Sequence, residues 1–477
     1  MSVLLDPHSL ANRPLLDGIQ GNILKSHGRP HTANVFIHCR PNHVDEAKTW
    51  LHSLVEGEDA LIQSGYAQLR SNLLWKENQA IDTGLFACIH ISAAGYRYLF
   101  GDGKNTELAD KPFQRGMKAS AALLNDPDPE SWESGFQAEI HFMLLLAYTH
   151  KDLLEASVDN VNRAIQSFAD VTTIAWGCAL KNAEGAGIEH FGYVDGISQP
   201  LFFEDEWETY KKNNNIKDEA RDIKDEKDKD TIIKFDPRAA KELVLVKDPL
   251  SPKDPNAWGS YFVFRKLEQN VKGFKQEEAI LAGILGFREE DDKERAGAML
   301  VGRAEDGSPI ELDKKPGLIN SALLNNFAYQ SGNNAKCPFH GHTRKTNPRV
   351  GPVEEGVQVA NNRVMARRGI PYGNRTDDPN DGNIYNKPTD KVGLLFMSYQ
   401  ASIKDQFEFV QTQANDTQEG IDPVIGQGDR SAKGVFCPEW GLTEPTKKAS
   451  FAQFVNLKGG EYFFAPSMSF LKNIHKG

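Results

Sequence analysis

The feature that most constrains this sequence is a short apolar run, Ile140 to Tyr148, with a stripe close behind it at Leu154, Val158, Val161, Ile165 and Phe168. A run of that length reads as a buried strand, and three- and four-residue steps place the residues that follow on one helical face. Val171 to Cys178 reads as the next strand. The same pairing occurs earlier: Asn34 to His38 precedes a stripe of Val44, Ala47, Leu51 and Leu54, and Leu85 to Ile91 leads into a short helix over Ala93 to Phe100. This order predicts an α+β fold with helices on one face of an antiparallel sheet.

The pattern returns in the second half. Ser260 to Arg265 and Gly393 to Tyr399 read as strands, the first followed by a stripe of Val271, Phe274, Leu281 and Ile284, the second by Ile403, Phe407 and Val410. Glu461 to Phe464 is a closing strand. One architecture is used twice, although no sequence motif repeats. Between the halves, Lys211 to Asp230 carries seven basic and seven acidic side chains, the pattern of a solvated run. The expected organisation is an N-terminal domain over 1–210, a charged linker or insertion over 211–258 and a C-terminal domain over 259–477. At 477 residues the chain has ample length for two such cores. From Phe287 to Lys391 it reads as long and irregular, which in a compact protein usually marks function or disorder.

Charge narrows the partners. Lys+Arg 55 against Asp+Glu 66 leaves −11, which argues against nucleic acid or an anionic membrane surface. The longest apolar run, Phe142 to Tyr148, falls far short of the ~20 residues a membrane helix needs. Met1 to Asp6 shows no basic start leading into an apolar core, and Cys39, Cys88, Cys178, Cys337 and Cys437 form no C-x-x-C pair. A cytoplasmic location is the expectation, with secretion open only to an already processed chain, and the sequons at Asn374 and Asn415 are then chance matches.

The usual signatures of nucleotide binding, zinc proteolysis and α/β-hydrolase chemistry are missing. Three segments remain. Phe191-Gly-Tyr-Val-Asp-Gly-Ile-Ser-Gln-Pro200 follows a tight path in which Asp195 lets backbone approach a flat ligand; alone it also reads as an Asp-Gly turn. Cys337-Pro-Phe-His-Gly-His-Thr-Arg344 invites a zinc site at Cys337, His340 and His342, but it supplies too few ligands, and two histidines two apart diverge on a helix. A single imidazole with cationic neighbours suits haem better, and a surface basic loop is the bland alternative. Cys337 with a nearby histidine also reads as a thiol nucleophile with its base, without a family signature to back it. In Asn362-Arg-Val-Met-Ala-Arg-Arg-Gly-Ile-Pro-Tyr-Gly373, adjacent Arg367 and Arg368 cannot both be buried cheaply, so one faces solvent or an ion pair and the other an anionic ligand; two surface arginines is the commoner outcome.

Together these segments resemble those of the dye-decolourising peroxidases, haem enzymes of a two-domain ferredoxin-like fold. The likeness runs from Asp17-Gly-Ile-Gln-Gly-Asn-Ile-Leu24 to near Ser467, with Gly192-Tyr-Val-Asp195-Gly196, His342-x-Arg344 with Asn347-Pro348-Arg349, and Arg367-Arg368-Gly369-Ile370-Pro371-Tyr372-Gly373 in the family's order. The resemblance implies two ferredoxin-like domains with haem b in the C-terminal half. It implies His342 as the iron ligand, Asp195 as the distal acid–base residue and Arg367 as the distal arginine, with Arg368 the competing choice. Leu394 and Phe396 would line the pocket, Arg344 and Gln199 would meet the haem propionates, and Asp422 is a candidate partner for His342. The implied reaction uses hydrogen peroxide to form a ferryl intermediate that oxidises bulky organic donors such as anthraquinone dyes and phenols. A haem-handling protein of the same fold with little turnover is the alternative. An aspartate base (~3.9 for the free side chain) survives acidity that protonates a histidine (~6.5), so better activity at acidic pH is expected.

Overall fold

In the computed structural model the two halves share one antiparallel sheet. The structure describes the chain except for residues 1–3, 59, 106, 218–231, 318–323, 350–352, 355–356, 429–433, 437–439, 442–446 and 477. The N-terminal half contributes β1 (His31–Cys39), β2 (Phe86–Ser92), β3 (Phe142–Tyr148) and β4 (Ala169–Cys178). The C-terminal half contributes β5 (Trp258–Gln269), β6 (Ala366–Arg367), β7 (Ile370–Tyr372), β8 (Gly393–Gln400) and β9 (Val455–Ala465). The order is β6-β8-β5-β9-β2-β3-β1-β4, with β7 also on β8. The halves meet where Phe463 and Phe464 of β9 pair with Ser92 and Ile91 of β2. The far ends of the sheet approach each other as well: a Cβ on Gly177 of β4 would lie 2.5 Å from the Ile370 side chain of β7. The sheet thus curls towards a barrel, and this explains why β2 and β3 are buried along almost their whole length rather than at alternate positions.

Helices cover the outside: α1 (Val44–Ser53), α2 (Gly65–Glu77), α3 (Ala93–Phe100), α4 (Lys151–Ile165), α5 (Val271–Leu285), α6 (Glu290–Val301), α7 (His342–Thr346) and α8 (Phe409–Asn415). In α4 the buried residues are Leu154, Val158, Val161 and Ile165, the stripe read from the sequence. Neither α2 nor α6 was anticipated. In α2 the residues that turn inward are Gly65, Gln68 and Leu69, which leave no apolar stripe to read. α6 lies within the stretch expected to be irregular. Its first turns are charged, and its buried part, Ala296, Ala298, Met299 and Leu300, is short and small. The Ile403–Val410 stripe is helical in two parts, a π-helix over Ile403–Glu408 running into α8. Much of the charged run, residues 218–231, lies outside the described residues, as does Cys437. Among the described residues no helix is long and apolar enough to cross a membrane.

Candidate active site

A cavity, partly open to solvent, lies between the 189–198 loop, α6, α7, β8 and the segment around Val424. His342, the first residue of α7, lines one wall. Its Nδ1 lies 2.8 Å from Oδ2 of Asp422. Asp422 is fully buried, and its other oxygen accepts the backbone N–H groups of Val424 and Ile425 at 2.8 and 3.1 Å. Burial raises that carboxyl, but the charge and hydrogen bond of His342 together with the two amides hold it below the ordinary range. Burial likewise draws His342 down, while Asp422 more than offsets this and leaves the imidazole above its usual value. With Nδ1–H fixed on a carboxylate, Nε2 is left as the lone pair available to a ligand.

The opposite wall is the loop read as a tight turn. Gly192 has φ of +99°, and a Cβ there would collide with the Asn380 side chain. Glu189 braces the loop from within, accepting the N–H groups of Phe191 and Tyr193 at 2.8 and 3.0 Å and an N–H of Gln269. Burial pushes Glu189 up to about 7. Asp195 lines the cavity, and its Oδ1 accepts from Nη1 of Arg367 at 3.4 Å. Arg367 also donates to the Ser198 carbonyl at 3.1 Å. Arg368 turns away and donates to the carbonyls of Asn22 and Ile23, both at 2.7 Å. Of the adjacent arginines, Arg367 alone lines the cavity.

Leu394 and Phe396 line the floor, with Val301, Met365, Phe407 and Val424. Two residues expected at the propionates do not line the cavity. The Arg344 guanidinium packs against the Tyr329 and Phe339 rings and donates to the carbonyls of Cys337 and Gln330. Gln199 holds backbone: it accepts the Arg367 N–H at 3.1 Å and donates to the Arg367 carbonyl at 3.3 Å. The cavity's cationic edge is formed instead by Arg303 and Arg349, both buried and both lining it. Arg303 donates to the carbonyls of Gly307 and Leu324, and Arg349 to those of Asn325 and Phe327 and to the Asn325 amide oxygen. Burial lowers both, Arg303 to about 10 with Arg349 adding repulsion. Arg349 closes the Asn-Pro-Arg stretch of the resemblance, where no role was expected for it; Glu189 and Arg303 carry no signal in the sequence and show themselves only by their burial in the fold. An imidazole lone pair, an apolar floor and two buried guanidiniums at the edge fit haem, whose iron takes one histidine and whose carboxylates need cations.

The other readings of the Cys337 segment do not assemble. His38, Glu139 and His141 make up the only grouping of three metal-capable side chains among the described residues. Cys337 is buried, and burial pushes its thiol up to about 12, away from a nucleophilic thiolate.

Comparison with known proteins gives the family. Residues 18–176 match the family model for the dye-decolourising peroxidase dimeric alpha+beta barrel domain, and residues 220–437 match that for the C-terminal domain of dye-decolourising-type peroxidases. The multifunctional dye peroxidase of Amycolatopsis sp. is 40% identical over 96% of either chain. Its solved structure superposes with a TM-score of 0.85 at 38% identity, covering 99% of both chains. A dye-decolourising-type peroxidase of Anabaena sp. superposes equally well, with a TM-score of 0.85 at 35% identity over 99% of this chain and 97% of its own.

Proposed function

Because the chain belongs to the dye-decolourising peroxidase family and is a peroxidase of that type, we propose that it holds haem b and uses hydrogen peroxide to oxidise bulky organic donors such as anthraquinone dyes and phenols. A bound haem would supply the two electrons that cleave the O–O bond. His342 would hold its iron through Nε2, with Asp422 fixing the ring and raising its basicity. Arg303 and Arg349 would meet the propionates.

Asp195 and Arg367 act on the peroxide. The carboxylate takes the proton from one peroxide oxygen and returns it to the other, directly or through one water, so that the departing oxygen leaves as water. The Arg367 guanidinium neutralises the negative charge that grows as the O–O bond lengthens. The observation that carries this reading is the Asp195–Arg367 pair at 3.4 Å, lining the same cavity as His342. Haem handling alone requires the imidazole and the cationic edge, and has no use for that pair.

The test is an absorption spectrum of the haem-loaded protein before and after one equivalent of peroxide, for the parent, Asp195→Asn and His342→Ala. The reading expects an intense Soret band that depends on His342 and a peroxide-induced change slowed in Asp195→Asn. A Soret band indifferent to peroxide in the parent leaves haem handling.

A further inference from the structure

The reverse face of β8 carries a polar cluster that this reaction does not use. Leu394 and Phe396 line the cavity, and the two-residue alternation of a strand sends Leu395, Met397 and Tyr399 to the other face, where all three are fully buried. Tyr399 pairs across the ladder with Ala366, the neighbour of Arg367, and lies about 10 Å along the strand from Phe396. Its Oη is 2.8 Å from Nε2 of His90 on β2. The Phe262 ring packs against both, with centroids 4.7 Å from Tyr399 and 4.1 Å from His90.

The tautomer follows from the far side of the imidazole. His90 Nδ1 is 3.4 Å from the Met143 carbonyl, which only accepts. Nδ1 therefore carries the ring proton, and Tyr399 O–H donates to the lone pair on Nε2. Burial lowers His90 to about 3 and raises the phenol well above its usual value. The resting pair is a neutral O–H···N unit. Three other groups face the phenol: the Asn22 side chain, which hydrogen-bonds it, Cys88, with Sγ 3.7 Å away and pushed by burial up to about 12, and Arg368, lowered to about 10.

A buried phenol bonded to a neutral base has an easy route to oxidation, because its proton leaves with the electron and no charged radical forms on the ring in an apolar interior. An oxidised phenol is a strong acid, so even a weakened imidazole accepts that proton. We infer that Tyr399, with His90 as its proton acceptor, stores one oxidising equivalent drawn from the peroxide-oxidised haem. This rests on the peroxidase reading. One electron passes from Tyr399 to the oxidised haem, the O–H bond breaks and the proton forms an N–H bond at His90 Nε2. A phenoxyl radical and an imidazolium remain. When an organic donor returns an electron, the proton goes back to oxygen. The ring is beyond a donor's touch, so it keeps the equivalent inside the protein when no donor is present.

The test is freeze-quench electron paramagnetic resonance of the haem-loaded protein after one equivalent of peroxide without donor. The parent gives a tyrosyl signal that narrows with ring-deuterated tyrosine and couples to one exchangeable deuteron in D₂O. Tyr399→Phe, which removes a single oxygen, lowers the signal at least fivefold, and without donor its haem bleaches faster. An undiminished signal in Tyr399→Phe, or a parent radical lacking the exchangeable coupling, overturns the inference while the peroxidase reading stands. A parent that does not respond to peroxide overturns both.

Discussion

The two walls of the cavity are built on opposite plans. On one, His342 and Asp422 lie 2.8 Å apart, and the Asp422 side chain is wholly buried with its second oxygen tied to two backbone amides. On the other, Asp195 and Arg367 keep 42% and 33% of their side-chain surface exposed and touch at 3.4 Å. A wall that holds an iron ligand must fix one tautomer and one direction. A wall that handles a small substrate must leave lone pairs and N–H groups unspent. Occupied hydrogen-bonding capacity marks the first task and spare capacity the second.

That contrast breaks most visibly at its fixed end. His342→Ala is expected to abolish the Soret band of the haem-loaded protein, and added imidazole to restore it. Haem binding that persists unchanged would place the ligand elsewhere. On the open wall, Asp195→Asn is expected to slow the reaction with peroxide by about 10²- to 10⁴-fold in stopped-flow measurements, with haem affinity unchanged. Behind the ligand, Asp422→Asn removes the carboxylate but keeps the ring in place, so a roughly 10- to 100-fold loss in haem retention is expected in a transfer assay. Equal losses of haem in the last two variants would erase the distinction between the walls.

The sequence made one part of this plan legible and hid the rest for a physical reason. α4 was readable because burial on one face imposes a helical period, and β3 because burial on both faces makes an unbroken apolar run of strand length; α2 was not, because Gly65 and Gln68 are among the residues it buries. Asp195, His342 and Arg367 stood out through turn chemistry and motif order. The choice between Arg367 and Arg368 needed the chain path: Arg367 pairs with Ser398 while Arg368 reaches across to the carbonyls of Asn22 and Ile23. Glu189 and Arg303 are functional candidates only because they are buried, and burial is a property of the assembled cavity rather than of the segments.

Glu189 sharpens the comparison through pH. Burial moves it from 4.5 in the unfolded chain to about 7 in the folded one. Between those values the unfolded chain binds fewer protons, so the stability present below pH 4.5 is lost as pH rises towards 7, by at most ~3 kcal/mol. Urea titrations of Glu189→Gln are expected to show that decline flattened. An unchanged slope would mean that the loop carrying Asp195 is not braced by a protonatable group.

Gln199 gives the smallest effect and the finest distinction. Its amide spends both ends on the backbone of Arg367, at 3.1 and 3.3 Å, so it holds Arg367 in line from outside the cavity. Two such bonds to neutral partners contribute about 1 kcal/mol each. Gln199→Ala should therefore slow the peroxide reaction several-fold by loosening Arg367, and leave haem affinity where it was. The propionate role implied by the family resemblance makes the reverse forecast, a loss of haem with little change in the rate of the molecules that keep it. Measuring both quantities on one preparation separates a residue that supports the open wall from one that grips the cofactor.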